Sequence, residues 1–173
     1  MIGQATMDIE AAPYGGARYP VDARMDGHTF VKFHLDIGVG DAVMDPLELI
    51  QTRDWLGFAG IEPPTVELLS KEQQFAEKLH AYTLPGRTRP NSRVKDLVDI
   101  MLLLQRGGLK NQRIKEALNM VFTRRKTHQL PETLNPPPDD WTPVFNKMAE
   151  ECNINTNIED AFTALKNAIE NLK

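Results

Sequence analysis

Up to about residue 40 the apolar residues of this chain alternate with polar ones, and beyond residue 70 they recur every three or four positions. The first period belongs to strands and the second to amphipathic helices. Met7 and Ile9 alternate with polar neighbours until Pro13-Tyr14-Gly15-Gly16 interrupts them. Tyr19, Val21, Ala23 and Met25 resume the alternation, and Asp26-Gly27 follows at once. Asp-Gly between two alternating runs predicts a type I′ turn, whose two central residues need positive φ. Residues 18–25 and 28–39 are therefore expected to pair as antiparallel strands. In the second strand Val31, Phe33, Leu35, Ile37 and Val39 share a face that reads as core, while Phe30, Lys32, His34 and Asp36 share the other. Between Asp45 and Pro64, residues such as Leu47, Leu49, Trp55, Leu56 and Phe58 suggest short buried pieces crossed by turns. Thr65-Val66-Glu67-Leu68-Leu69 reads as one more short strand.

The helical period starts where Ser70 and Gln73 form a capping box, each side chain satisfying an orphan amide. Phe75, Ala76, Leu79 and Tyr82 then make a stripe to about Thr83. After the loop Leu84 to Pro90, Asn91 or Ser92 is expected to cap a second helix running to Gln105, stopped by Gly107-Gly108. Its run Ile100-Met101-Leu102-Leu103-Leu104 is apolar nearly all round and predicts the buried centre. Asn111 is expected to cap a third helix with Ile114, Ala117, Leu118, Val121 and Phe122 on one face. Pro131 to Asp140, with three consecutive prolines, reads as a spacer. Two amphipathic helices close the chain, the first marked by Trp141, Val144, Phe145, Met148, Ala149 and Cys152. The second is marked by Ile158, Ala161, Phe162, Leu165, Ile169 and Leu172. The expected fold class is α+β, a small sheet over residues 1–69 followed by a helical domain over 70–173.

Composition narrows the class without naming a function. A hydrophobic content of 41% with 25% charged residues describes a globular chain, not a disordered one. No apolar stretch approaches the roughly 20 residues that span a bilayer. Met1 to Asp8 carries no basic-then-apolar leader. Cys152 is alone, so no internal disulfide forms, which fits a reducing cytoplasm. The net charge of −4 says little about partners; the placement of charges says more.

Asp36 stands in a strand between apolar neighbours, and desolvating a carboxylate costs several kcal/mol unless something compensates it. It is either paired structurally or held for chemistry. Lys78 borders the stripe of Phe75, Leu79 and Tyr82, where it snorkels into water or grips a phosphate as a point charge. Arg87, Arg89, Arg93 and Lys95 lead into a helix N-terminus with no acid between them. Such a segment suits phosphate, or is simply a solvated basic loop. Asp96 and Asp99 follow one turn apart, and Asp99, ahead of aliphatic residues, should be largely buried and needs a compensating partner. Arg124-Arg125-Lys126 suits a helix C-terminus and is also open to nucleic-acid contact. The four histidines show no paired metal-ligand spacing.

Taken in order, three segments form a pattern: Phe33-His34-Leu35-Asp36-Ile37-Gly38, then Ala76-Glu77-Lys78-Leu79-His80-Ala81, then Arg93-Val94-Lys95-Asp96-Leu97-Val98-Asp99-Ile100. Over about residues 18–105 this resembles the nucleotidyltransferase-like AbiEii/AbiGii toxin family. The resemblance implies part of a polymerase-β-like nucleotidyltransferase core, an antiparallel or mixed sheet followed by a C-terminal helical bundle. It implies Asp36 as a metal-binding carboxylate for Mg2+, Lys78 as the nucleotide-gripping lysine and Asp96 as an essential acid. Arg93, with Arg87 and Arg89, would lie near the triphosphate. The chemistry is coherent, since carboxylates hold metal, metal bridges phosphates and lysine neutralises developing charge.

The family's Gly-Ser turn and later Asp-x-Asp pair have no counterpart here. Gly15-Gly16 lacks the serine, and Asp22 and Asp26 do not give the spacing. The resemblance therefore implies the C-terminal two-thirds of a nucleotidyltransferase-type toxin, from a truncated gene or a misplaced start codon, inactive alone. The alternative is a non-catalytic binding module that contacts an antitoxin or nucleic acid. The implied partners are a nucleoside triphosphate, an antitoxin protein and RNA, and an exposed sheet edge is expected to favour self-association.

Overall fold

The computed structural model describes residues 1–9, 13–85 and 93–172. Their contacts divide the chain into two units, Met1–Ala42 and Val43–Lys173. The first unit is an antiparallel sheet of β1 (Met7–Asp8), β2 (Gly16–Met25) and β3 (His28–Gly38), in that order. Asp26 at φ 49° and Gly27 at φ 76° close the expected turn. A two-residue turn by itself would put Leu35 opposite Arg18. Instead the register shifts between Ala23 and Arg24, so that Arg18 faces Asp36 and Tyr19, Val21 and Ala23 face Leu35, Phe33 and Val31. Pairing apolar with apolar positions requires that bulge, because a one-residue slip exchanges the two faces of a strand. The face expected to be core is open: Val31, Phe33, Leu35, Ile37 and Val39 are 40–53% exposed. A single three-stranded layer has no second layer of its own to bury it.

The second unit opens with β4 (Glu48–Gln51) and β5 (Thr65–Leu68), an antiparallel pair joined through a 3-10 turn at Gly57–Ala59. Leu49, Trp55, Leu56 and Phe58, expected as buried pieces, lie at the surface, with Phe58 90% exposed. Strands of four residues joined by turns are too small to close over them.

Among the described residues five helices follow: α1 (Lys71–Thr83), α2 (Val94–Arg106), α3 (Asn111–Arg125), α4 (Thr142–Glu151) and α5 (Ile158–Glu170). Ser70 Oγ accepts the Gln73 amide, and Gln73 Oε1 accepts the amide of Met44, which ties the preceding segment to the helix. Lys71 Nζ donates to the Gly107 carbonyl beyond α2, so the start of α1 meets the end of α2 and the two run antiparallel. Asn111 does not cap α3; it is the first helical residue. The amide of Lys110 is taken by the buried Glu72 carboxylate at 3.0 Å, so the acceptor comes from α1. Phe75, Leu79, Leu97, Ile100, Val121, Phe145 and Leu165 form the centre of the core. α2 supplies Leu97, Val98, Ile100 and Met101 to the core as expected, but its apolar run is not buried all round: Leu102 reaches the surface and Leu103 and Leu104 are partly buried. Cys152, expected on the inner face of α4, is exposed just after that helix ends. No described helix is long and apolar enough to cross a membrane.

Candidate functional site

The antiparallel packing of α1 on α2 places Lys78 opposite the first turns of α2. Lys78 Nζ lies 2.7 Å from Asp99 Oδ2 and 3.6 Å from Asp96 Oδ1. Asp96 Oδ2 accepts from Arg93 Nη1 at 2.9 Å, so this carboxylate bridges the two cations. Asp96 and Asp99 reach the same ammonium because three residues make nearly one helical turn. The Lys78 side chain is 35% exposed and that of Asp96 10%, so the cluster has a dry base and a wet mouth. Burial pushes the Lys78 pKa down, but Asp99 and then Asp96 push it up and prevail, leaving it above the ordinary 10.5. Asp99 is half-buried, and Lys78 is the compensating partner that its position demands. Arg93 Nε is buried with no hydrogen-bond partner among the described residues. Arg87, Arg89 and the caps expected at Asn91 or Ser92 lie outside the described residues.

Asp36, on β3, belongs to the other unit. Both its oxygens are taken by Arg18, with Nε to Oδ1 and Nη2 to Oδ2 each at 2.6 Å. The guanidinium holds the Asp36 carboxyl below its usual range, and the carboxylate in turn raises Arg18. The carboxylate is not desolvated as its apolar neighbours suggested, because its side chain is 45% exposed. Arg18 is the residue that inspection of the sequence missed. Matching the apolar faces of the two strands would have found it, since that match alone puts Arg18 opposite Asp36.

A lysine bridging two carboxylates at a helix hairpin, with an arginine on one of them, preserves the order of motifs read from the sequence. The family model for the nucleotidyl transferase AbiEii toxin, of a type IV toxin–antitoxin system, matches residues 2–167. The chain belongs to the AbiEii nucleotidyl transferase toxin family. No curated protein matches it. Membership in the AbiEii family supports a nucleotidyltransferase-type toxin function.

Nucleotidyltransferase families usually use a divalent metal. Among the described residues no group of three or more His, Cys, Asp or Glu side chains is placed to hold a metal ion. Asp36 offers a carboxylate that already satisfies a guanidinium. Among the described residues these side chains do not make up a complete magnesium site.

The remaining basic cluster is anchored within the AbiEii fold. Arg125 donates through Nε and Nη2 to Glu77 Oε2 at 2.9 and 2.8 Å, which joins the end of α3 to α1. Beside it His80 is buried, with Nε2 2.7 Å from Thr127 Oγ1 and its ring edge-on to Phe122. His128 packs on both rings, and burial lowers its pKa. These contacts make α1, α3 and residues 127–128 one polar-edged seam.

Proposed function

We propose that this chain binds a nucleoside triphosphate through Lys78 and Arg93, with Arg87 and Arg89 of the preceding segment, as the phosphate-gripping part of a nucleotidyltransferase-type toxin. The observation that carries the reading is the Lys78 ammonium, fixed by Asp99 and Asp96 at the head of α2 yet open to solvent on one side. An ammonium has three donors, and the two carboxylates leave one for a phosphate oxygen. In nucleotidyl transfer an acceptor oxygen bonds to the α-phosphorus, the α–β phosphoanhydride breaks, and pyrophosphate leaves carrying the charge. A positioned lysine stabilises that charge as it develops. Asp96 orients both Lys78 and Arg93, and Asp36 is the counterpart of one metal-binding carboxylate. The setting is the cytoplasm, with an antitoxin as the system's second component.

Isothermal titration with magnesium–ATP and magnesium–GTP tests the site. Weak binding to the wild type is expected to fall about tenfold in Lys78→Ala, the loss of one charged hydrogen bond. Equal binding by both chains rejects it. By itself the polypeptide is expected to transfer no labelled nucleotide, because Asp36 is its single counterpart of the family's metal carboxylates; robust labelling would overturn that part.

One observation favours a second reading. Lys78, Arg93, Asp96 and Asp99 already neutralise one another, so the cluster also serves as an electrostatic staple between α1 and α2. On that reading the chain is a non-catalytic module that contacts an antitoxin or nucleic acid. Loss of stability in Lys78→Ala, with no nucleotide binding in the wild type, would select it.

A further inference from the structure

The outer edge of β3 has properties that go beyond the nucleotide site. Val39 donates its N–H to the Gly15 carbonyl and accepts at its own carbonyl from Tyr14, both at 2.9 Å. Strand alternation therefore turns the backbone groups of Ile37, Leu35 and Phe33 towards β2, and those of Lys32, His34, Asp36 and Gly38 outward. The far side of β2 is covered by the N-terminal segment, with Gly3 and Thr6 donating to Pro20 and Arg18. Among the described residues nothing pairs with the outer side of β3. The strand is eleven residues long and has no proline, whereas exposed edges are ordinarily short or blunted.

We propose that a second copy of this chain adds its β3 antiparallel to this edge, in the register that sets His34 opposite His34 of the partner subunit. The strand is self-complementary about that point. Lys32 falls opposite the partner's Asp36, and Asp36 opposite the partner's Lys32, on the face where Asp36 already holds Arg18. Phe33 meets the partner's Leu35, and Val31 meets the partner's Ile37, so apolar residues adjoin apolar ones. The outward N–H and C=O of Lys32, His34 and Asp36 are the groups that an antiparallel ladder in this register pairs. Any register one residue away puts Lys32 opposite an apolar side chain and loses both charge pairs.

Sedimentation velocity over a wide concentration range tests the assembly, and cysteine cross-linking tests the register. The wild type is expected to be dimeric, and Lys32→Glu, which sets like charges opposite each other twice, to weaken the dimer about tenfold. His34→Pro removes an outward N–H without touching the β2 ladder and is expected to be monomeric with an unchanged circular dichroism spectrum. In a Cys152→Ser background, His34→Cys places the two sulfur-bearing positions about 5.5 Å apart between Cα atoms, within disulfide reach. Thr29→Cys places them roughly 34 Å apart. Rapid oxidation of the first chain to a covalent dimer, and not of the second, supports the pairing. A wild type that stays monomeric, a His34→Pro chain that stays dimeric, or equal cross-linking of both cysteine chains overturns it. None of these outcomes bears on nucleotide binding, so the two proposals fail separately.

Discussion

Replacing Lys78 with methionine keeps an unbranched aliphatic stem on α1 while removing the ammonium that pairs with Asp96 and Asp99. Removing one partner of a fully buried pair costs about 3–5 kcal/mol, whereas an exposed pair contributes about 0–1 kcal/mol. The Lys78 side chain is 35% exposed and that of Asp99 26%, so the pair stands between those limits. Lys78→Met is therefore expected to lower unfolding stability by about 2 kcal/mol. Asp99→Asn, which leaves Lys78 with Asp96, should cost about 1 kcal/mol. The double variant should recover about 1 kcal/mol of the summed loss, because Asp99 is no longer stranded once both groups are gone. Urea titration followed by far-ultraviolet circular dichroism at pH 7 supplies the four stabilities. The sign with pH is set by the raised pKa of Lys78. Its contribution is complete below the ordinary lysine value of 10.5 and fades as pH rises through the higher folded value. A coupling within about 0.3 kcal/mol of zero would refute the reasoning, since additive losses mean that the two groups do not interact.

Three other outcomes follow from how far side chains of the second unit are enclosed. Burial holds the His128 pKa below 6.5, so acid stability should decline as pH falls through 6.5, where the unfolded chain takes up a proton that the folded one resists. Nuclear magnetic resonance titration of the His128 ring, with unfolding curves of the wild type and His128→Gln, checks this; equal pH slopes would disprove it. Phe75→Ala should cost about 3–5 kcal/mol because Phe75 is fully enclosed. Phe58→Ala, at the surface, should change stability by less than about 0.5 kcal/mol in the same denaturation assay.

The periodicities and turn residues alone determined the β2–β3 hairpin, the strand at Thr65–Leu68 and the helices α1 to α5, because each is encoded within a few neighbouring residues. The order of the Asp36, Lys78 and Asp96 segments was likewise enough to reach the AbiEii family. Tertiary structure decided which charges meet. Asp36 is neutralised by Arg18 because a bulge between Ala23 and Arg24 moves the register by one residue. Asp99 is compensated by Lys78 because α1 and α2 run antiparallel at one particular stagger. The helix α3 is capped from α1, by Glu72, and not by its own Asn111. Tertiary structure also left the apolar face of β3 open, since alternation shows which residues share a face and not whether another layer covers it. Short-range periodicity sets the direction of each side chain along its own element. Contacts between elements depend on register and stagger, where a shift of one residue exchanges every partner.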